Sequence, residues 1–411
     1  MFAPVLARAG ETTRTPRADI TIEWNGELDR AHGVRSGRGT PDNPYVISGW
    51  EVANISIRDT DKAIKIVNNT ITGKLTLDWI GPNVVVRNND VGDLRLNQNI
   101  ARWGDPSGGM IVKNRFGQVG QLRHFDGVFA HNTVGSSAGG GLSPYPATRA
   151  VNFDGFNGSR FEHNTIYGYV DARLHGHHHS SAFGDSSHMH ATDPADAHTV
   201  DHTMRYHQVF IEHNEIFTSH GYALAYLDTN HAANDRTANS ETNPYLNAPH
   251  VHRTRTYLRD NELNGAGILV DVFNAQDERH KGTRRGLLVI AENVVTLQQD
   301  AAHPFRTLNG IEVRQARDLR LAIKRNQIQG PEPITDLPEL HTFQMRGAGI
   351  LLDGIDDGAV WIVADQVINM RFGVQATQLS ESVTWMIRSL STDGVVERVS
   401  YDESVRNAPR S

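Results

Sequence analysis

One short motif recurs along the chain and restricts the folds open to it more than any other feature. A hydrophobic residue, one or two polar residues, an Asn, any residue and another hydrophobe appear in IVNNTI, MIVKNRFG, VFAHNTVG, RFEHNTIYG, VFIEHNEIF and LVIAENVV, among other copies. The shared Asn is Asn69, Asn89, Asn114, Asn132, Asn164, Asn214, Asn261, Asn293 and Asn326, and Gln366 is expected in that place in IVADQVI. The intervals run from 18 to 50 residues. A short unit with variable insertions is the signature of a solenoid.

The residue types select the solenoid. The units are rich in Val, Ile and Phe and alternate over four to six residues, which is a strand period rather than a helical one. Asn and Gly punctuate them, as turns with positive φ require. An Asn at each turn can donate its amide to the coil about 4.8 Å away, which satisfies polar groups that would otherwise be buried without partners. The expected fold is all-β, a single right-handed parallel β-helix of roughly ten coils with an Asn ladder. Residues 1–44 form an N-terminal segment and cap, 45–390 the β-helix, and 391–411 a C-terminal tail.

Of 411 residues, 38% are apolar, enough for a continuous core when every coil turns its Val, Ile, Leu and Phe inward. No run of 18 apolar residues appears, so no spanning helix is expected. A net charge of −7 without a long basic run argues against nucleic acid and anionic membranes as partners. The absence of Cys excludes disulfides and thiolate metal sites. Together with MFAPVLARAG, read as the remnant of a signal sequence, it suits a secreted, periplasmic or cell-surface protein.

The segment Gly33 to Val52, GVRSGRGTPDNPYVISGWEV, resembles the opening of NosD-like exported β-helix proteins, and the Asn-rich repeats after it resemble the wider carbohydrate-binding and sugar-hydrolase group. The resemblance implies the fold. It leaves function open among lyases, epimerases, hydrolases and non-enzymatic accessory proteins.

A histidine-rich excursion at 170–208 interrupts the repeat and draws attention to the coils around it. In an extended segment His177 and His179 would face one way, as would His188 and His190. Two such pairs suit a divalent metal, zinc first and calcium as the alternative. His131, His163 and His213 each precede a repeat Asn and would stack on consecutive coils. That stack is either a second place for the metal or a polar column at the turn, where other coils carry Arg87, Lys113, Asp260, Glu292 and Arg325.

Carboxylates recur too. GAGILVD and GAGILLD end at Asp271 and Asp353, and NGIEVR puts Arg314 at the matching position between them. The simplest reading is a salt-bridge stack; the functional one pairs Arg314 with a uronate carboxylate. Asn152 and Asp154 in VNFDG, with His220 and Gly221, resemble polygalacturonase elements, but Phe153 replaces the Thr of that pattern.

Elimination from a uronic acid needs a group that neutralises the carboxylate, a base and an acid. Arg205, Tyr206 and His207, with His220 and Tyr222 on the same coil, supply those residue types. Tyr145, Phe156, Tyr167 and Tyr226 are candidates for stacking on sugar rings. The expected function is a metal-assisted lyase, or a related enzyme, acting on an acidic polysaccharide. The alternatives are a metal-binding accessory protein and a glycan-binding structural solenoid.

Overall fold

The structure, a computed structural model, describes residues 14–81, 83–98, 109–123, 125, 127–137, 146, 148–154, 159–175, 208–229, 255–271, 286–298, 308–331 and 347–401. Among these the chain is a parallel β-solenoid. Strands stack in register into one sheet of 12 strands and one of 23. A typical turn of chain gives Gln208–Glu212 to the first sheet, then Glu215–Phe217 and Tyr222–Thr229 to the second. The 3₁₀ turn Asn25–Glu27 is the one helical element described.

Alternation explains the core. In Ile64–Val67 and Val84–Arg87 every second side chain is buried, as a strand with one wet face requires. The inward columns hold Ile, Val and Leu at nearly every level, with Phe116, Phe129 and Phe161 stacked at 6.0 and 5.2 Å in the middle of the chain.

The corners follow from a single backbone device. Asn68, Asn88, Lys113, His131, His163, His213, Asp260, Glu292, Arg325 and Ala364 all have φ between 54° and 59°. This left-handed conformation is uncommon outside Gly. It reverses the chain so that the next residue, the repeat Asn, points inward. Asn88, not Arg87, therefore occupies the corner of its coil. Arg87 lies one residue earlier, paired with Val112 at a strand end.

Eight of the nine Asn side chains, Asn89 to Asn326, are saturated. The Nδ2 of Asn164 donates to Oδ1 of Asn214 at 2.9 Å and to the carbonyl of Phe129 at 3.0 Å. Its Oδ1 accepts from both N and Nδ2 of Asn132. The same four bonds recur from Asn89 to Asn326, and the backbone N–H of Trp50 closes the first level on Asn69.

The last level differs from expectation. Asp365, fully buried, and not Gln366, accepts from N and Nδ2 of Asn326, both at 2.8 Å. Gln366 follows it in an exposed column beside Gln327. The inward place belongs to the residue immediately after the left-handed corner, here Ala364. A carboxylate suits the end of the series, because the following level puts Leu390 inward and offers no amide to receive a donor.

The stacking extends beyond 45–390 on both sides. Thr15–Pro16 and Ile20–Ile22 pair with Trp50–Val52 and Ile55–Thr60, and Ser391–Asp393 and Glu397–Tyr401 continue the larger sheet.

Two measurements test this account. Replacing Asn164 or Asn214 by Ala leaves N–H and C=O groups buried without partners, and should cost roughly 1–3 kcal/mol each in denaturant unfolding. Burial raises the Asp365 carboxyl to about 6, against the opposing effect of its bonds from Asn326. The folded state therefore holds this proton more tightly than the unfolded chain, whose Asp titrates near 3.9. The stabilisation from that proton is full below about pH 4 and is lost as pH rises through about 6, an effect on the order of 2 kcal/mol. Asp365→Asn should flatten that part of the stability–pH curve; an unchanged slope would place the titration elsewhere.

Candidate functional site

The outer face of the larger sheet gathers the polar groups. Arg149–Asp154, Tyr169–His175, Tyr222–Thr229, Gly267–Asp271 and Ile311–Arg314 lie side by side in that order. The first four run directly into chain segments outside the described residues, 155–158, 176–207, 230–254 and 272–285. Insertions are thus joined to one edge of this face, and the histidine-rich one enters at His175.

The register aligns Asp271, Arg314, Asp353 and Thr377 in one outward column. The guanidinium, however, is bonded within its own strand. Arg314 Nε donates to Glu312 Oε1, and Asp353 accepts instead from the Thr377 hydroxyl at 2.6 Å. Glu312 explains the preference. Only 2% exposed, its carboxylate is far from water and needs several donors. Asn309 Nδ2 supplies one at 2.9 Å and the Tyr222 hydroxyl another at 3.2 Å. Asn309 is fixed in turn by the backbone N–H of Ala348 on its Oδ1, at 2.9 Å.

Tyr222 reaches Glu312 from two strands away. On the strand between them Gly267 is in register with Tyr222 and Leu269 with Glu312; a Cβ at Gly267 would come within 2.2 Å of the carbonyls of Asn309 and Gly310. Arg314 Nη2 also donates to the Tyr222 oxygen, at 3.3 Å. The phenol thus accepts from a cation and donates to an anion.

Asp271 lies in the neighbouring coil. Burial pushes its carboxyl above the usual range; Arg314 opposes the shift and Glu312 adds to it. Its Oδ1 is buried with no hydrogen-bond partner among the described residues.

Of the expected catalytic residues, Tyr222 is in this cluster. His220 faces the preceding coil, its ring stacked on Tyr169 at 4.0 Å. Arg205, Tyr206 and His207 lie outside the described residues, as do His177, His179, His188, His190, Tyr145 and Phe156. Tyr226 does not stack on a ligand: it sits in an inward column with Ala172 and Val270, 4% exposed, bonded to Thr256. Tyr167 stacks on Phe217 at 5.3 Å.

His131, His163 and His213 do come together. Their exposed rings are parallel within 3° and 8° and spaced 4.9 and 4.8 Å. Two nitrogens on one zinc lie within about 4 Å of each other. As arranged, the rings form a column set by the coil spacing, and among the described residues no group of three His, Asp or Glu converges on a point. A separate concavity of about 350 Å³, lined by Thr72, Asp90, Gly92, Arg115 and Ser136, lies in the N-terminal coils away from Tyr222.

Glu312 and Asn309 are the site residues that sequence reading missed. The signal was present: Glu312 is two residues from Arg314 in NGIEVR, so the two share a face.

No family model, no curated protein and no solved structure matches the chain.

Glu312→Ala should cost about 2–3 kcal/mol, because Arg314, Asn309 and Tyr222 lose a shared charged acceptor, whereas Tyr222→Phe should cost about 1 kcal/mol. Thermal unfolding of the two variants reads the difference; equal losses would mean that Glu312 is not the centre of the cluster.

Proposed function

We propose that this chain is an exported, polysaccharide-active enzyme that cleaves an acidic glycan by β-elimination at the Tyr222–Glu312–Arg314 cluster, on a right-handed solenoid. The observation that carries the reading is the Tyr222 hydroxyl held between Arg314 and Glu312 beside a carboxyl, Asp271, that burial favours in its protonated form.

Arg314 neutralises the uronate carboxylate, which acidifies the adjacent C–H. Tyr222 takes that proton as its own hydroxyl proton passes to Glu312. The electron pair of the C–H bond forms the new C=C bond, and the bond to the glycosidic oxygen breaks. Asp271 gives its proton to the leaving oxygen. Further negative charge develops on the carboxylate oxygens during the step, and a fixed guanidinium stabilises it without reorganising.

The histidine-rich segment carries a separate proposal. His177, His179, His188 and His190 hold a divalent metal, zinc by the preference of imidazole, and the metal would supply further positive charge where that segment joins the face. Elemental analysis should find one divalent ion per chain, lost when His177 and His179 are both changed to Ala. Full retention in that variant would remove those two residues from the site.

For the enzyme, a panel of polyuronates is digested and followed by the ultraviolet absorbance of the unsaturated product. Tyr222→Phe should lower kcat by about 10²–10⁴-fold with little change in KM, because the proton moves only in the transition state. Unchanged turnover in a folded Tyr222→Phe protein removes Tyr222 from the chemistry. A wild-type protein inert on every polyuronate, yet carrying metal, favours the accessory-protein reading.

A further inference from the structure

Three strands before Arg314, the same outer face carries a second group of cations, built around a buried carboxylate. Asp171 is 6% exposed and accepts from Arg173 Nη2 at 3.0 Å and Nε at 3.3 Å, and from Arg149 Nη1 at 3.5 Å. Two guanidiniums share this carboxylate. Both stay more than 40% exposed along their side chains. The buried anion therefore orients two cations that still face outward.

Next to them, in register with Asp171, lies Asn152. Its Nδ2 donates to the Gly120 carbonyl at 3.3 Å, while its Oδ1 is buried with no partner among the described residues. A buried acceptor without a donor is costly. It is the complement of a hydroxyl group on a ligand.

Register ties this group to the candidate active site. Arg173, Leu227, Asp271 and Arg314 occupy one column on successive strands. Three steps of about 4.8 Å put the two cationic positions about 14 Å apart along the solenoid axis. Between them the column carries the Asp271 carboxyl on the strand next to Arg314, and the neighbouring column carries Ala225 and Leu269.

We infer that Arg149, Arg173 and Asn152 form a second subsite, which takes the carboxylate and a hydroxyl of another uronate unit of the same glycan bound at Arg314. The inference rests on the acidic-glycan reading of the Tyr222 site and adds to it the direction and minimum length of the ligand. The chain lies along the solenoid axis, across the strands, and must be long enough to touch both cationic groups. A disaccharide reaches only one.

The test is calorimetric binding of dimers and hexamers of galacturonate and of alginate to the full chain. The wild-type protein should bind the hexamer of its preferred uronate more tightly than the dimer. Arg149→Gln should reduce hexamer affinity, and so should the pair Asp171→Asn with Arg173→Gln, which removes both charges together and leaves no buried ion unpaired. The expected loss is about tenfold or more in each, with dimer affinity at the Arg314 group retained. Arg149→Gln alone is a mild change for the fold, since exposed ion pairs contribute little. Unchanged hexamer affinity in both folded variants overturns the subsite and leaves the Tyr222 reading standing. A wild-type protein that binds neither uronate at either length overturns both.

Discussion

From Asn69 to Asn326 each level of the solenoid is fixed by the amide of one Asn bonded to the amide of the next. An Asn has two donors and an acceptor able to take two bonds, and here all four are used: one donor to the next amide, one to a carbonyl of the preceding coil, and two acceptances from the level before. Displacing one residue by one position along its strand would break all four. The left-handed corner before each Asn aims the side chain inward, so local conformation and long-range register depend on the same pair of residues. This is why intervals of 18 and of 50 residues can coexist in one stack. The cost of closing a longer insertion grows only with the logarithm of its length, and the bonds at its base are unchanged.

A lattice of this kind decides which outward side chains can meet. Neighbours in a column are one coil spacing apart, and neighbours in a strand on the same face are two residues apart. Glu312 and Arg314 meet by the second rule, Asp271 and Arg314 adjoin by the first, and Tyr222 reaches Glu312 across the intervening strand. The histidine column obeys the first rule so strictly that its rings are parallel. Equivalent positions on successive coils give equal orientation.

The legible part of the molecule was whatever repeats. The Asn positions, the parallel strands and the alignment of Asp271, Arg314 and Asp353 are carried by recurring strings, and the structure has each of these residues in register. What was illegible depends on burial or on a break in the repeat. Gln366 resembled the missing Asn in chemistry, but the place belongs to Asp365, because the corner conformation, not residue similarity, sets which side chain turns inward. Tyr226 looked like a sugar platform, yet its parity with Leu224 puts it in the core. Glu312 was overlooked because an outward Glu is ordinarily solvated; its burial comes from Tyr222, Asn309 and Arg314 closing around it, residues distant in sequence.

The arrangement of charge on the site face follows from the same lattice. A buried carboxylate in a column can hold guanidiniums from its own strand and from the strand beside it, as Asp171 and Glu312 each do in part. Each such group is local, because charges on adjacent strands neutralise one another within a coil spacing. The two groups are therefore separate clusters rather than a continuous basic band, consistent with a chain whose net charge is −7. Discrete cations at fixed separation favour a ligand whose own charges are regularly spaced and held by a stiff backbone, since a flexible polyanion would lose more conformational freedom in matching them. In the acidic glycan proposed above, one carboxylate per ring would supply that regularity.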